Sequence, residues 1–343
     1  MTREAGTAAQ EHGTEAGIAG RSARIGTGSP MNGRLADEAD WPRERLDRDY
    51  SARGTVTPEL FNVEMRRYRS LSEEFGSPWM THPDVVYDRV SGQTLDVFGT
   101  TTGQLRPVFV FIHGGYWRML SKHDSAFMAG MLARHGIASI AVDYRLAPEV
   151  PLAEIVREVR AAIAFLWRHG RDYGIDPARI FVGGSSAGGH LAGTVIAGGW
   201  HGKFGVPENI VKGAMPISGL FHLAPIAKSF VQDWISLDDA AVCTLSPAEN
   251  LPRSGCPIVL AYAAGEAGGF RRQSLEYHRL WRESGFCSVL IEVPDRNHFD
   301  VILDLADENT ALSRALLRLI NGTYFAGKSR DDRIDAVGTP DPR

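Results

Sequence analysis

The sequence predicts an α/β fold: a mostly parallel central sheet with helices on both faces, an antiparallel N-terminal hairpin and small lid elements. One observation behind this is the alternation of short apolar runs with helical stretches from about residue 107 onward. Another is Pro107-Val-Phe-Val-Phe-Ile112, apolar throughout and therefore suited to a strand buried on both faces. The third is Arg179-Ile-Phe-Val-Gly-Gly-Ser-Ser-Ala-Gly-Gly-His190, where a β-branched run meets glycines and serines and then a helical stretch, Leu191 to Ala197. It reads as a buried strand turning sharply into a helix with a hydroxyl at the apex.

Taken in order, residues 1–40 hold almost no large apolar side chains and are expected to be a disordered tail, as is the polar stretch 326–343. One domain is expected over 41–325. Thr57-Pro58-Glu59 is a helix start, with a hydroxyl cap, a proline at the first position and then an acid. Leu60, Phe61, Tyr68, Leu71 and Phe75 keep helical spacing to about Gly76. This helix either packs on the core or roofs a site. Val85–Tyr87 and Thr94–Phe98 flank Ser91-Gly92 as a hairpin. Strand 107–112 is followed by a helical stretch to His135-Gly136, strand 138–142, and a helix from Pro151 carrying Ile155, Val159, Ile163, Leu166 and Trp167 on one face. Strands follow at 179–185, 213–218, 257–261 and 288–293, with helices at 270–284 and 306–320. The irregular segment 219–252, together with residues 55–80, is expected to supply the lid.

Composition bounds the function. The 343 residues are 43% hydrophobic, enough for a substantial core, and a net charge of −4 offers no basic field for nucleic acid. Cys243, Cys256 and Cys287 match no metal spacing and read as buried structural thiols in a reducing compartment. No apolar run approaches the roughly 18 residues of a membrane span, and the N-terminus lacks a signal-peptide pattern. The expectation is a cytoplasmic protein with a small-molecule substrate, no metal or cofactor, and no nucleic-acid or membrane partner. A homodimer is the assembly left open.

Gly184-Ser185-Ser186-Ala187-Gly188 fits G-x-S-x-G, and its frame selects Ser186 over Ser185, which would place Ala187 at the second glycine. The same glycines could cradle a phosphate, but the P-loop lysine is missing. A serine hydroxyl needs a base, usually a histidine oriented by a carboxylate. In the α/β-hydrolase fold these follow in the order Ser, Asp/Glu, His, on loops after later strands. Of the eleven histidines, His298 alone stands after the last strand and before the final helix, in Pro294-Asp-Arg-Asn-His298. Glu266, in Ala264-Gly-Glu-Ala-Gly-Gly269, is the acid in the right place; Asp295 and Asp300 flank the histidine on its own loop and break the order. His135, His169 and His190 are read as satisfied or surface residues. An oxyanion hole needs backbone N–H groups where the third strand ends. There stands His113-Gly114-Gly115-Tyr116-Trp117, so Gly114 and Gly115 join the Ala187 N–H as donors and His113 braces the loop. Tyr116, Trp117, Phe221 and His222 are the expected pocket residues.

The chain resembles the α/β-hydrolases of the hormone-sensitive-lipase-related group through Asp143-Tyr-Arg-Leu-Ala-Pro-Glu149. Within that group His113-Gly-Gly-Tyr-Trp117, Ser218-Gly-Leu-Phe-His-Leu-Ala-Pro225, Leu245-Ser-Pro247, Phe270-Arg-Arg-Gln-Ser274 and Asn297-His-Phe-Asp300 are similar to the kynurenine formamidases (arylformamidases). The resemblance covers about residues 55–320 and implies a Ser–acid–His hydrolase without a metal, acting on an aryl formamide such as N-formylkynurenine. It departs at Glu266, where animal formamidases carry Asp, and at His222, where Asp is expected. A general short-chain carboxylesterase is the alternative, and a non-catalytic ligand-binding homologue a remote one.

Overall fold

The computed structural model describes residues 35–324, so the two expected tails lie outside the described residues except for 35–40. Those six form a 3-10 turn, Leu35–Asp40, with Leu35 and Glu38 buried, so order begins earlier than composition suggests. A short helix α1 (Arg43–Asp49) follows, then the long helix α2 (Pro58–Gly76). Thr57 caps α2 as expected, its hydroxyl accepting from the Leu60 N–H at 3.2 Å. The buried face is rotated from expectation. Phe61 and Tyr68 are buried, whereas Leu60 and Phe75 are exposed.

Eight strands form one sheet in the order β1-β2-β4-β3-β5-β6-β7-β8. The hairpin of β1 (Met80–Asp88) and β2 (Gln93–Phe98) joins antiparallel to the rest, and β3 (Arg106–Ile112) runs parallel to its neighbours. The expected long helix before β4 (Ala138–Val142) shrinks to α3 (Ala129–Arg134). Residues 113–128 are instead loop and a 3-10 turn, with left-handed backbone at Gly115, Tyr116, Trp117 and Leu120.

Then come α4 (Leu152–His169), β5 (Ile175–Ser185) and α5 (Ala187–Ile196), followed by the four-residue α6 (His201–Phe204) and β6 (Val211–Ile217). Segment 219–252 holds two short helices, α7 (Gln232–Ile235) and α8 (Asp239–Leu245). The chain closes with β7 (Ile258–Ala263), α9 (Gly268–Glu283), β8 (Ser288–Val293), a 3-10 turn (Val301–Ala306) and α10 (Ala311–Ile320). The helix expected over 306–320 thus begins later, at Ala311, with the expected end at Ile320.

Alternation along β3 shows why its sequence is apolar at each position. Val108, Val110 and Ile112 point into one core with Ile155, Leu191 and Phe270, while Phe109 and Phe111 point into the other with Phe127 and Leu316. Trp167, expected on the inner face of α4, is exposed. Cys243 is also exposed, and Cys256 and Cys287 are half-buried, so the thiols are not the core fillers expected; all three are unpaired. Among the described residues no helix is long and apolar enough to cross a membrane. The parallel strands all present their C-terminal ends at one edge, where ligands collect in open α/β sheets.

Candidate active site

Ser186 stands at the turn between β5 and α5 with φ 58° and ψ −119°, a conformation that costs a non-glycine residue roughly 1–3 kcal/mol. The flanking glycines follow from crowding. A Cβ on Gly188 would lie 2.0 Å from the Ile112 carbonyl oxygen, and one on Gly184 2.5 Å from the oxygens of Gly188 and Ile112. Strand and helix therefore meet backbone to backbone beneath the serine. The Ser186 N–H donates to the Ile217 carbonyl at 2.9 Å, which pins the turn to β6. Ala187 opens α5, so its N–H has no intrahelical acceptor.

Gly114 and Gly115 lie against this turn. A Cβ on Gly114 would sit 2.7 Å from the Ser185 carbonyl oxygen and 3.4 Å from the Ser186 Cβ, and Gly115 has φ +90°. The loop is braced from Asp143-Tyr144-Arg145. The Tyr144 hydroxyl donates to the carbonyls of His113 (2.9 Å) and Gly114 (3.2 Å), and its ring stacks on His113 at 4.1 Å. His113 is buried, which pushes its pKa down and keeps the imidazole neutral; its Nδ1 lies 3.1 Å from the Gly114 oxygen. Arg145 anchors the bracing segment through Glu158, a fully buried acid on α4 that accepts from both its backbone and its side chain.

His298 and Glu266 arrive on the loops after β8 and β7. Their contact, His298 Nδ1 to Glu266 Oε2, is 2.8 Å, and both side chains are shielded from water. The carboxylate accepts, so Nδ1 carries the proton and Nε2 is left with its lone pair. The loops are also joined through backbone, the Gly265 N–H donating to the Arg296 carbonyl at 2.9 Å. Phe270 packs on the imidazole at 4.2 Å between ring centres. Of the rival acids, Asp295 is exposed, and Asp300 accepts from the Asn297 N–H at 2.7 Å, closing the histidine loop on itself. Geometry brings Glu266 to the histidine.

Ser186, Gly114, Gly115, Tyr116 and His298 line one cavity of about 390 Å³. Both expected lid regions reach it: Phe61, Met65 and Tyr68 from α2, and Phe230 and Trp234 from segment 219–252. The helix thus covers the core and roofs the site. The Tyr68 hydroxyl ties it to the histidine loop, donating to the Phe299 carbonyl at 2.6 Å.

Three expected pocket residues are elsewhere. Trp117 is fully buried beneath the loop, its indole N–H donating to His190 Nδ1 at 3.3 Å. Phe221 is fully buried and stacked on Tyr277 at 4.1 Å. His222 faces a separate cavity with its Nδ1 3.3 Å from Glu249 Oε1. Their neighbourhood is held by Gln273, whose Oε1 accepts from the N–H groups of Phe221 and His222, both at 2.8 Å, while its Nε2 donates to Tyr50 and to the His222 carbonyl. The motif Phe270-Arg-Arg-Gln-Ser274 thus owes its glutamine to this brace, a role that only the fold reveals. Tyr144 and Gln273 stand inside sequence motifs, and Phe230 and Trp234 inside the expected lid segment, but none of the four is given a site role by the sequence alone.

The salmon (Salmo salar) kynurenine formamidase is 32% identical over 245 residues, covering 69% of this chain and 81% of that protein. The chain belongs to the kynurenine formamidase family. The zebrafish (Danio rerio) member is 29% identical over 297 residues, spanning 83% of this chain and 99% of its own length. The BD-FAE family matches residues 95–203, from β2 through α6. Among solved structures, a thioesterase-like protein from Silicibacter superposes with a TM-score of 0.67 at 24% identity, covering 80% of this chain and 98% of its own. Its likeness concerns the fold, which is that of the α/β-hydrolases. As a member of this family the chain is a hydrolase, of arylformamidase-like type.

Proposed function

We propose that the protein hydrolyses N-formylkynurenine or a related aryl formamide through Ser186, His298 and Glu266. The observation that carries this reading is the convergence, on one aromatic-walled cavity, of the elbow serine, two loop glycines and a histidine held by Glu266. His298 Nε2 takes the Ser186 proton as Oγ attacks the formyl carbon. The Glu266 carboxylate holds the imidazole in the required tautomer and stabilises its charged form. The N–H groups of Gly114, Gly115 and Ala187 receive the developing oxyanion. His298 then gives its proton to the departing arylamine, and water, deprotonated by the same imidazole, releases formate from Ser186.

The kynurenine formamidases of salmon and zebrafish support the formamide, and the aromatic residues Phe61, Phe230 and Trp234 suit an aryl leaving group. The esterase reading is favoured by the apolar character of the cavity walls, which would also admit a short acyl ester. The unpaired cysteines agree with work in the reducing cytoplasm. The test is kcat/KM on N-formylkynurenine against p-nitrophenyl acetate and butyrate. A preference for the esters of several orders of magnitude would overturn the formamide assignment. Ser186→Ala should abolish turnover while leaving the fold intact; unchanged hydrolysis would remove Ser186 from the mechanism.

A further inference from the structure

The cavity over Ser186 carries more positive charge than the reaction needs. Arg53, in the turn before α2, lies with its guanidinium carbon 3.8 Å from the ring centre of Phe61. Arg118, just after the oxyanion loop, lies 4.4 Å from the ring centre of Trp234. All four side chains line the cavity, and both arginines are exposed. Stacking fixes the guanidinium planes and leaves their N–H edges free to donate, a pre-organised arrangement for an oxyanion. Among the described residues neither arginine has a carboxylate partner. The one acid in the lining, Asp124, is already committed: it accepts from Arg69 at 2.9 Å and from the backbone and hydroxyl of Ser121, each at 3.0 Å.

We propose that Arg53 and Arg118 form an anion-recognising rim that selects aryl acyl substrates bearing a carboxylate remote from the scissile bond. The inference rests on the assignment of this cavity as the site of acyl transfer, but not on the formamide itself. The aryl group lies among Phe61, Phe230 and Trp234, and its carboxylate is shared between the two guanidinium edges, where charge-assisted hydrogen bonds are available. The two arginines come from opposite sides of the opening in sequence, one preceding the roof helix and one following the oxyanion glycines. A neutral ester engages neither.

The experiment uses two matched pairs, formanilide with 4-formamidobenzoate and phenyl acetate with 4-acetoxybenzoate. Each pair differs by one carboxylate, and kcat/KM is measured for the wild type, Arg53→Gln, Arg118→Gln, the double variant and the two Arg→Lys variants. The charged-to-neutral preference is expected to exceed roughly tenfold in the wild type and to fall at least fivefold in each Gln variant. It should approach one in the double variant, recover partly with Lys, and weaken in the wild type as salt is raised. A preference unchanged within twofold in all three Gln variants overturns the rim, whichever bond is cleaved. If the formamides are inert but the ester preference collapses in the variants, the rim stands and the formamide assignment falls. Circular dichroism of each variant separates these outcomes from misfolding.

Discussion

Acid should destabilise this protein through His190, one turn after Ser186 on α5. Its Nδ1 accepts from the Trp117 indole and its Nε2 donates to the Leu245 carbonyl at 2.9 Å, so the neutral imidazole is satisfied at both nitrogens. A second proton would place an N–H against the Trp117 N–H inside a fully buried pocket. Burial accordingly pushes the His190 pKa from 6.5 down to about 4. The folded value lies below the unfolded one, so the stabilisation is complete above about pH 6.5. It is lost as pH falls toward 4, because the unfolded chain takes up the proton first. Linkage gives a loss of about 2 kcal/mol at pH 5 and about 3 kcal/mol at pH 4. The assay is urea unfolding followed by tryptophan fluorescence at pH 7.5 and pH 5 for the wild type and His190→Gln. Other titrating groups are common to both proteins, so the stability gap between them should narrow by about 2 kcal/mol at the lower pH. A gap that stays constant would refute the argument.

Glu266→Gln keeps the shape of the His298 contact but not its charge; kcat should fall by about 10³–10⁴-fold with little change in KM, measured on the preferred substrate. Gly114→Ala drives a methyl to 2.7 Å from the Ser185 carbonyl oxygen, displacing one of the proposed oxyanion donors. A loss of about 10²–10³ in kcat with a near-native melting profile is expected. Gln273→Ala strands the buried N–H groups of Phe221 and His222 and should cost roughly 2–4 kcal/mol in denaturant unfolding.

Local chemistry made much of this legible. Ala138–Val142 and Ser288–Val293 appear as strands with the expected bounds because their apolar, β-branched runs have a single use in a buried sheet. Thr57-Pro58 marks a helix start for reasons contained in two residues. Chain order, which the topology of the sheet imposes, is what selects Ser186, Glu266 and His298 as candidates, and the structure places His298 against Glu266 and on one cavity with Ser186. What escaped depends on tertiary partners. The loop 113–128 has apolar residues at helical intervals, but Tyr116, Trp117 and Leu120 adopt left-handed backbone, and the start of the loop is held through the His113 carbonyl by Tyr144. Aromaticity near the loop did not say which ring faces the cavity. Tyr116 does, whereas Trp117 turns down toward His190. In α2 the difference is one of phase: Leu60 fits the period as well as Phe61, and tertiary partners of Phe61, Phe299 among them, decide between them.

The closure of the roof over the histidine loop has a consequence for how the chain matures. Tyr68 reaches Phe299 across 231 positions, and Glu38 pairs with Arg272 across 234. During synthesis from the N-terminus, residues 35–76 emerge well before β7, α9 and the histidine loop; Arg69, Ser72 and Tyr68 of α2 meet Asp124, Ala126 and Phe127 early, whereas the contacts to Phe299 and Arg272 come later. The sheet can assemble strand by strand around β3 and β5, while the roof's contacts to the histidine loop, the Phe61 ring and the Tyr68 hydroxyl on Phe299, form afterwards. The cavity therefore closes only when the roof helix meets the histidine loop.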